Sequence, residues 1–189
     1  CQSVILYEPG GRRQIHTDLK DIQETAYPMD QFDQAAEGCD WLALCNINFS
    51  RPMLARAKVL GKRIATDVHA IHNLADAYNQ DFMQSADVLF MSHENLELPP
   101  QDWIQALWEK YHTPLVVIGL GAQGALLGIR AGQVIQQVPA VQTRPIVNSI
   151  GAGDALFSAF LHAYASGCDP LTALRKAVVF ASYKIGVAS

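Results

Sequence analysis

The sequence predicts an α/β fold of three layers, in which a mostly parallel sheet carries helices on both faces. Short apolar segments alternate with longer amphipathic segments along most of the chain, and this alternation is typical of parallel strands joined by helical crossovers. Half of the 189 residues are hydrophobic, so the chain is able to bury a sizeable core. We expect a single domain over residues 1–189.

The chain begins with a predicted β-hairpin. The strand-like segment SVILYE is followed by the turn PGGRR and by QIHTDL, a second segment of alternating polarity. Arg12 and Arg13 in this turn are expected to be solvated, or to contact a substrate phosphate as part of a lid. We expect the hairpin to lie outside the core, and an exposed hairpin of this kind would suit a homodimer.

The middle of the chain supplies the alternating strands and helices. Strands are predicted from WLALCNI, KRIATDV, DVLFMS and PLVVIGL, and helices from RPMLARAKVLG, LADAYNQDFMQ and PPQDWIQALWEKYH. The segments ALLGI and QVIQQV follow the last of these strands and are separated only by RAG. Because two strands that close in sequence need a hairpin, they are expected to pair antiparallel.

Two helices are predicted at the end of the chain. The first covers Gly151 to Ser166, with Gly167 as its C-cap. Its apolar stripe follows helical spacing and consists of Phe157, Phe160, Leu161 and Tyr164. The second helix has Asp169 at its N-cap and Pro170 at its first position.

Composition and charge exclude several classes of function. The net charge is -4 and the basic residues are scattered, so the sequence predicts no basic surface that would bind nucleic acid or an anionic membrane. The four cysteines form no CxxC pair, so we expect ordinary reduced thiols. No apolar run reaches the ~20 residues of a membrane span and no leader is evident, so a cytoplasmic protein with a small-molecule partner is expected.

The segment GLGAQG, residues 119–124, matches the dinucleotide fingerprint GxGxxG after a strand. That fingerprint also needs a helix after the last glycine and an acidic residue about 20 positions later. Here two strands follow, and no acidic residue lies between Glu109 and Asp154. A Rossmann site is therefore disfavoured. Two interpretations of the glycines remain: they form a simple tight turn, or they let a ligand or another backbone segment approach closely.

The segment GAGD, residues 151–154, stands at the start of the predicted helix. The first turn of a helix presents unpaired N–H groups at the positive end of the dipole, and glycines let a phosphate come close to them. Asp154 at this position has two interpretations. It complements the dipole, or it orients a hydroxyl and accepts its proton while the amides hold a transferred phosphoryl group.

The segment VNSIGAGDALFSAFLHAYASG resembles the carboxyl-terminal signature of the ribokinase/PfkB family of carbohydrate kinases, D-T-x-G-A-G-D-x-F. Three further segments resemble family motifs in the same order: VILYEPGGRRQI a strand with a G-x-R turn, DVLFMSHENLE the N-E-x-E segment, and VVIGLGAQGALL the nucleotide segment. The resemblance implies a ribokinase-type fold and ATP-dependent phosphorylation of an alcohol on a sugar or a related small molecule.

The resemblance also assigns roles to single residues. Asp154 would be the catalytic base, and the anion hole would be formed by Gly151, Ala152 and Gly153. The ATP-binding turn would contain Gly119, Gly121 and Gly124, with Ser182 at the adenine pocket. Glu94 would organise Mg²⁺ through water. Asp67, at the carboxyl end of a predicted strand, lies where α/β sheets collect ligands and is a candidate substrate contact.

Several positions depart from the family pattern. His93 replaces an Asn, Gly119 a Thr and Asn148 an Asp, and Leu96 occupies the place of the second acidic residue of the N-E-x-E segment. Activation by a monovalent cation therefore does not follow from the resemblance. No segment resembles the family's N-terminal GG-x-x-x-N motif, so we expect an N-terminally truncated chain that holds the nucleotide half.

Two alternatives to a kinase stay open. A degenerate relative would bind ATP without phosphotransfer, and an NAD-dependent oxidoreductase resting on GLGAQG would have no need of Asp154. His69 and His72 resemble metal ligands, but no third nitrogen or sulfur lies nearby in the sequence, so structural or solvent-facing roles are expected.

Overall fold

A small antiparallel sheet precedes the main body of the protein. The structure is a computed structural model that describes residues 1–7 and 13–187. Strands β1 (Gln2–Tyr7) and β2 (Arg13–Asp18) pair antiparallel with each other. The predicted hairpin is thereby confirmed, while its turn at residues 8–12, with Arg12, lies outside the described residues.

The main sheet has six strands that lie side by side in chain order. They are β3 (Trp41–Ala43), β4 (Arg63–Asp67), β5 (Val88–Ser92), β6 (Leu115–Gly119), β7 (Ala125–Ile129) and β8 (Val134–Val138). Strands β3 to β6 are parallel, and β7 and β8 run antiparallel to their neighbours. The carboxyl ends of β3 to β6 therefore meet at one edge, where open α/β sheets bind ligands.

Helices cover both faces of this sheet and complete the three predicted layers. The described residues form the helices α1 (Met29–Ala36), α2 (Arg51–Val59), α3 (Gln80–Ser85), α4 (Pro100–Tyr111), α5 (Ala152–Ala165) and α6 (Pro170–Ile185). In this part of the chain no helix is both long and apolar enough to cross a membrane.

Each face of the sheet has its own apolar core because side chains alternate along a strand. In β5, Leu89 belongs to the core that includes residues of α1 to α4, whereas Phe90 belongs to the core formed with α5 and α6. The ring of Phe90 meets Phe160 of α5 edge to face, with 5.2 Å between the ring centroids. The central strands are consequently buried on both sides.

Two elements differ from the sequence prediction. The helix predicted over residues 74–84 begins only at Gln80, because Asn73 and Asp76 accept hydrogen bonds from backbone N–H groups two residues later and hold the chain in turns. Helix α1 was not predicted at all. Its buried face consists of only Phe32 and Ala36, which is too few apolar positions to stand out.

Candidate active site

The turn before α5 is shaped by two residues. The side-chain oxygen of Asn148 accepts a hydrogen bond from the Ile150 N–H at 2.8 Å, which closes an Asx turn. Gly151 follows as the N-cap with a φ of 73°, a left-handed conformation that glycine adopts without steric cost. The chain then enters the helix, as the sequence predicted.

The first turn of α5 places Ala152, Gly153 and Asp154 at the positive end of the helix dipole. The Ala152 N–H donates to the Ser149 carbonyl at 3.2 Å, at the long end of the normal range, so an anion at this turn would compete with a long hydrogen bond. Both Gly153 and Asp154 are exposed. The turn is thus open on the side where an anion would enter.

A second carboxylate lies near Asp154. Asp67 ends β4, is buried, and accepts a hydrogen bond from the His69 N–H at 2.8 Å. Burial raises the pKa of the Asp67 carboxyl above its ordinary value; the imidazole and the N–H of His69 oppose this, and the charge of Asp154 adds to it. The two predicted site residues are therefore close enough for their charges to interact, with Asp67 at the carboxyl edge of the sheet.

Cys45 lies in the same region and is a free thiol, as expected. It follows β3 and is partly buried. Burial raises the pKa of the thiol; the backbone of Asp67 opposes this, and the charges of Asp67 and Asp154 add to it. The residues at the carboxyl ends of β3 and β4 are thus close enough to the start of α5 for their charges to interact.

The predicted nucleotide turn and the loop of Glu94 are joined by His93. The backbone N–H of His93 donates to the Gly119 carbonyl at 3.0 Å, and its ring Nδ1 lies 2.9 Å from the same oxygen. The ring also lies over Gly121, where an added Cβ would be 3.8 Å from its Cε1. The next residue, Glu94, is exposed, and its N–H donates to the Ser92 hydroxyl at 3.2 Å.

Gly124 has a structural reason to be glycine. Its φ and ψ are 96° and -128°, and a Cβ there would lie 2.1 Å from the Val138 carbonyl oxygen and 2.5 Å from the Ala140 nitrogen. Another backbone segment, rather than a ligand, therefore approaches this glycine. The residue after it begins β7 and not a helix, which removes the structural basis for a Rossmann site.

The segment from residue 143 to 148 is fastened to the end of α6. The Ser182 hydroxyl is buried and accepts a hydrogen bond from the Thr143 N–H at 3.0 Å. The N–H groups of Val147 and Asn148 donate to the Ile185 carbonyl at 2.8 and 3.0 Å. These hydrogen bonds connect the start of α5 to the last turn of α6. The bond from Thr143 gives Ser182 a structural role in addition to its predicted contact with the adenine.

Arg144 strengthens this connection and was not singled out from the sequence. Its guanidinium lies 3.7 Å from the centroid of the Tyr183 ring. Its aliphatic stem crosses Gly186 so closely that a Cβ there would lie 1.9 Å from the Arg144 Cγ. Spacing in the sequence gives no signal for such a crossing.

His69 and His72, the two histidines that resemble metal ligands in the sequence, lie at the surface. His69 Nδ1 lies 3.7 Å from an oxygen of Asp67, and His72 contacts the Asn95 carbonyl and an oxygen of Glu97. Within residues 1–7 and 13–187, no three side chains of His, Cys, Asp or Glu are arranged to hold a metal ion. The candidate site contains the carboxylates of Asp67 and Asp154, the amides at the start of α5 and the glycines of the neighbouring turn.

Known proteins resemble this chain over nearly all of its length. A profile of the pfkB family carbohydrate kinases matches residues 8–189. The 1-phosphofructokinase of Rhodobacter capsulatus is 26% identical over 162 residues, which make up 80% of this chain and 50% of that protein. A microbiome-derived acarbose kinase, Mak1, has a TM-score of 0.86 at 26% identity, covering 98% of this chain and 62% of Mak1.

A third similar protein is a ribokinase II homologue from E. coli solved in complex with ATP and Mg²⁺. Its TM-score is 0.79 at 15% identity over 99% of this chain and 65% of that protein, a likeness that supports the fold alone. The chain spans half of the phosphofructokinase and less than two thirds of either solved protein. The profile match covers all six strands of the main sheet, the glycine turn and the start of α5, and on this ground the chain belongs to the pfkB family of carbohydrate kinases.

Proposed function

We propose that the protein transfers the γ-phosphoryl group of ATP to a hydroxyl of a sugar or a related carbohydrate. The observation that carries this proposal is the position of Asp154, which is exposed in the first turn of α5 beside the left-handed Gly151, in a chain of this family. A carboxylate and helix amides at one point can receive a proton and a negative charge in the same step.

Asp154 acts as the general base. Its carboxylate accepts the proton of the acceptor hydroxyl while the acceptor oxygen bonds to the γ-phosphorus and the bond from that phosphorus to the ADP oxygen breaks. The amides around Gly151, Ala152 and Gly153 stabilise the negative charge on the phosphoryl oxygens. Because this transition state is loose, positioning and charge stabilisation supply most of the rate enhancement.

The glycine turn receives the nucleotide. Gly119 and Gly121 face the ATP phosphates, and Gly121 is suited to this because it is exposed and an added Cβ there would meet only the His93 ring within 4 Å. Gly124 shapes the turn from behind through its contact with residues 138–140. Ser182 contributes to the adenine end by holding the segment that begins at Thr143.

Glu94 provides the metal contact. Bound Mg²⁺ would neutralise charge on the phosphates during transfer. Mg²⁺ usually keeps several waters and takes one or two carboxylates besides the phosphate oxygens, so a single exposed glutamate at the end of β5 fits its ligand set. Glu94 would hold the ion through water, and its loop is fixed to the nucleotide turn by His93.

Asp67 orients the acceptor. It lies at the carboxyl edge of the sheet, near Asp154, so a sugar whose reacting hydroxyl meets Asp154 can place a second hydroxyl on Asp67. The two relatives named for their substrates, a 1-phosphofructokinase and an acarbose kinase, both act on sugars. A carbohydrate hydroxyl is therefore the acceptor class that the site supports best.

Asp154→Asn tests the proposal. We expect kcat to fall by about 10²–10⁴-fold, because the amide cannot accept the proton. The assay is ADP release by the longest natural form of the protein, with Mg-ATP and a panel of sugars, sugar phosphates and nucleosides. Asp102→Asn is the matched control, since Asp102 is also exposed in the first turn of a helix.

ATP binding is measured in parallel by calorimetric titration. Turnover that disappears in Asp154→Asn but persists in Asp102→Asn, with ATP binding retained, supports the proposal. Binding of ATP without turnover on any acceptor contradicts it and favours a noncatalytic nucleotide-binding relative.

A further inference from the structure

A lysine from another helix lies at the start of α5. A methyl group added to Gly151 would lie 3.4 Å from Cε and 3.8 Å from Nζ of Lys184, and 3.7 Å from Oδ2 of Asp154. The ammonium of Lys184 and the carboxylate of Asp154 thus approach the same point beside the Gly151 α-carbon. Lys184 belongs to the last turn of α6, so this meeting depends on how α6 packs along α5.

The position of Lys184 is fixed by its neighbours in the chain. The carbonyl of the next residue, Ile185, accepts the two hydrogen bonds from Val147 and Asn148. On the preceding side, Tyr183 packs under the guanidinium of Arg144. The backbone on both sides of Lys184 is therefore connected to the segment that leads into the turn at Gly151. This connection places the Lys184 side chain beside that turn.

The ammonium group of Lys184 forms no ion pair within the described part of the protein. No ion pair within 4.0 Å joins it to any carboxylate there, Asp154 included. Its side chain is partly exposed, which leaves the ammonium hydrated and able to donate to an incoming anion. A cation of this kind beside helix amides increases the attraction of the turn for an anion.

We infer that Lys184 donates a hydrogen bond to the γ-phosphoryl group of bound ATP and keeps this contact during transfer. The inference rests on the proposed function. Lys184 shares its location with Asp154, which receives the proton of the acceptor, so its ammonium stands at the reacting phosphate and not at the adenine end. It neither gains nor loses a proton in the step; it offsets negative charge on the non-bridging oxygens while Asp154 takes the hydroxyl proton.

The test compares the affinities for ATP and for ADP, because only ATP carries the phosphate that Lys184 contacts. We expect Lys184→Met to weaken ATP binding by roughly 10- to 100-fold and ADP binding by less than about threefold, as befits the loss of one charge-assisted hydrogen bond. Met keeps the length and packing of the lysine stem, which limits damage to the fold. Lys184→Arg keeps the charge and is expected to retain most of the ATP affinity.

Arg175→Met is the matched control. It removes one positive charge from the same helix at an exposed position and should leave both affinities unchanged. Titration calorimetry with Mg²⁺ present measures binding without any need for turnover, and melting curves check that each variant is folded. If Lys184→Met fails to fold, Lys184→Gln takes its place in the comparison.

The two proposals fail in different ways. If the wild-type protein binds no ATP, the proposed function falls and this inference falls with it. If the wild type binds ATP but Lys184→Met weakens ATP and ADP equally, or neither, Lys184 does not contact the γ-phosphate and the inference alone is overturned. The same holds if the variant changes only the KM of a phosphorylated acceptor.

Discussion

Gly124→Ala should destabilise the protein strongly for a reason that has no connection with ligand binding. The backbone at Gly124 has φ 96° and ψ -128°, and forcing an alanine into such a region costs about 1–3 kcal/mol. The new Cβ would also lie 2.1 Å from the Val138 oxygen and 2.6 Å from the Pro139 carbonyl carbon. Relieving that overlap requires backbone movement and costs about 1–3 kcal/mol more.

Two neighbouring glycines make this prediction a graded series. In Gly119→Ala the new Cβ would meet only the Met91 oxygen, at an ordinary 3.8 Å, so the change in unfolding free energy should stay within about 0.5 kcal/mol. Gly121→Ala must adopt a φ of 58°, with its Cβ at an ordinary 3.8 Å from the His93 ring, and this conformation costs about 1–2 kcal/mol. The expected order of destabilisation is Gly124 first, then Gly121, then Gly119.

Urea unfolding followed by tryptophan fluorescence measures the series. We expect Gly124→Ala to lose about 3 kcal/mol or more, which corresponds to a Tm roughly 10 °C lower for a domain of this size. A loss below about 1 kcal/mol for Gly124→Ala, or an equal loss for Gly119→Ala, would refute the reasoning. Gly119→Ala has a second use, because a variant that folds normally and binds ATP weakly would support a nucleotide contact at this turn.

Two further predictions concern the edge of the site. Burial raises the pKa of the Asp67 carboxyl in the folded protein, so the folded state binds this proton more tightly than the unfolded state does. The protonated carboxyl therefore adds to the stability of the fold below about pH 4, the usual carboxyl pKa, and this contribution is lost as the pH rises. Asp67→Asn should therefore gain stability relative to wild type between pH 4 and pH 7.5 in urea titrations, while kcat/KM falls; a constant difference across this range would contradict the burial argument. Gly186→Ala should lower kcat and reduce the free energy of unfolding by about 1–3 kcal/mol, because the new methyl group displaces the Arg144 stem. Adding Arg144→Ala should recover most of this stability. If the double variant recovers nothing, the contact with Arg144 is not the cause.

The sequence predicted those parts of the fold whose local pattern agrees with their final environment. Helix α5 has an apolar stripe and α6 has an Asp169 cap that accepts hydrogen bonds from Leu171 and Thr172, so both were evident. Residues 74–79 contain apolar residues at helical spacing, yet the side chains of Asn73 and Asp76 accept hydrogen bonds from nearby backbone N–H groups and hold turns. Such competition between side chain and backbone is invisible to periodicity.

The candidate site was predictable where its chemistry is local. Asp154 and Gly151 are close in sequence, so a helix start with a carboxylate could be inferred from spacing alone. Lys184 and Cys45 reach the same region from α6 and from the end of β3, and their approach is set by packing across the sheet edge. In the sequence, Lys184 looks like an ordinary basic residue that complements the dipole at the end of its helix.

The two hydrogen bonds that Ile185 accepts from Val147 and Asn148 have a practical consequence for handling the protein. Helix termini open more readily than helix interiors, so a protease that cuts in the last turn of α6 would separate Ile185 from the rest of the helix. Cleavage after Tyr183 would spare both apolar cores and the six-stranded sheet, and the circular dichroism spectrum would hardly change. The turn at Gly151 would nevertheless lose its anchor, so a preparation clipped in this way would look folded while the proposed phosphotransfer declines.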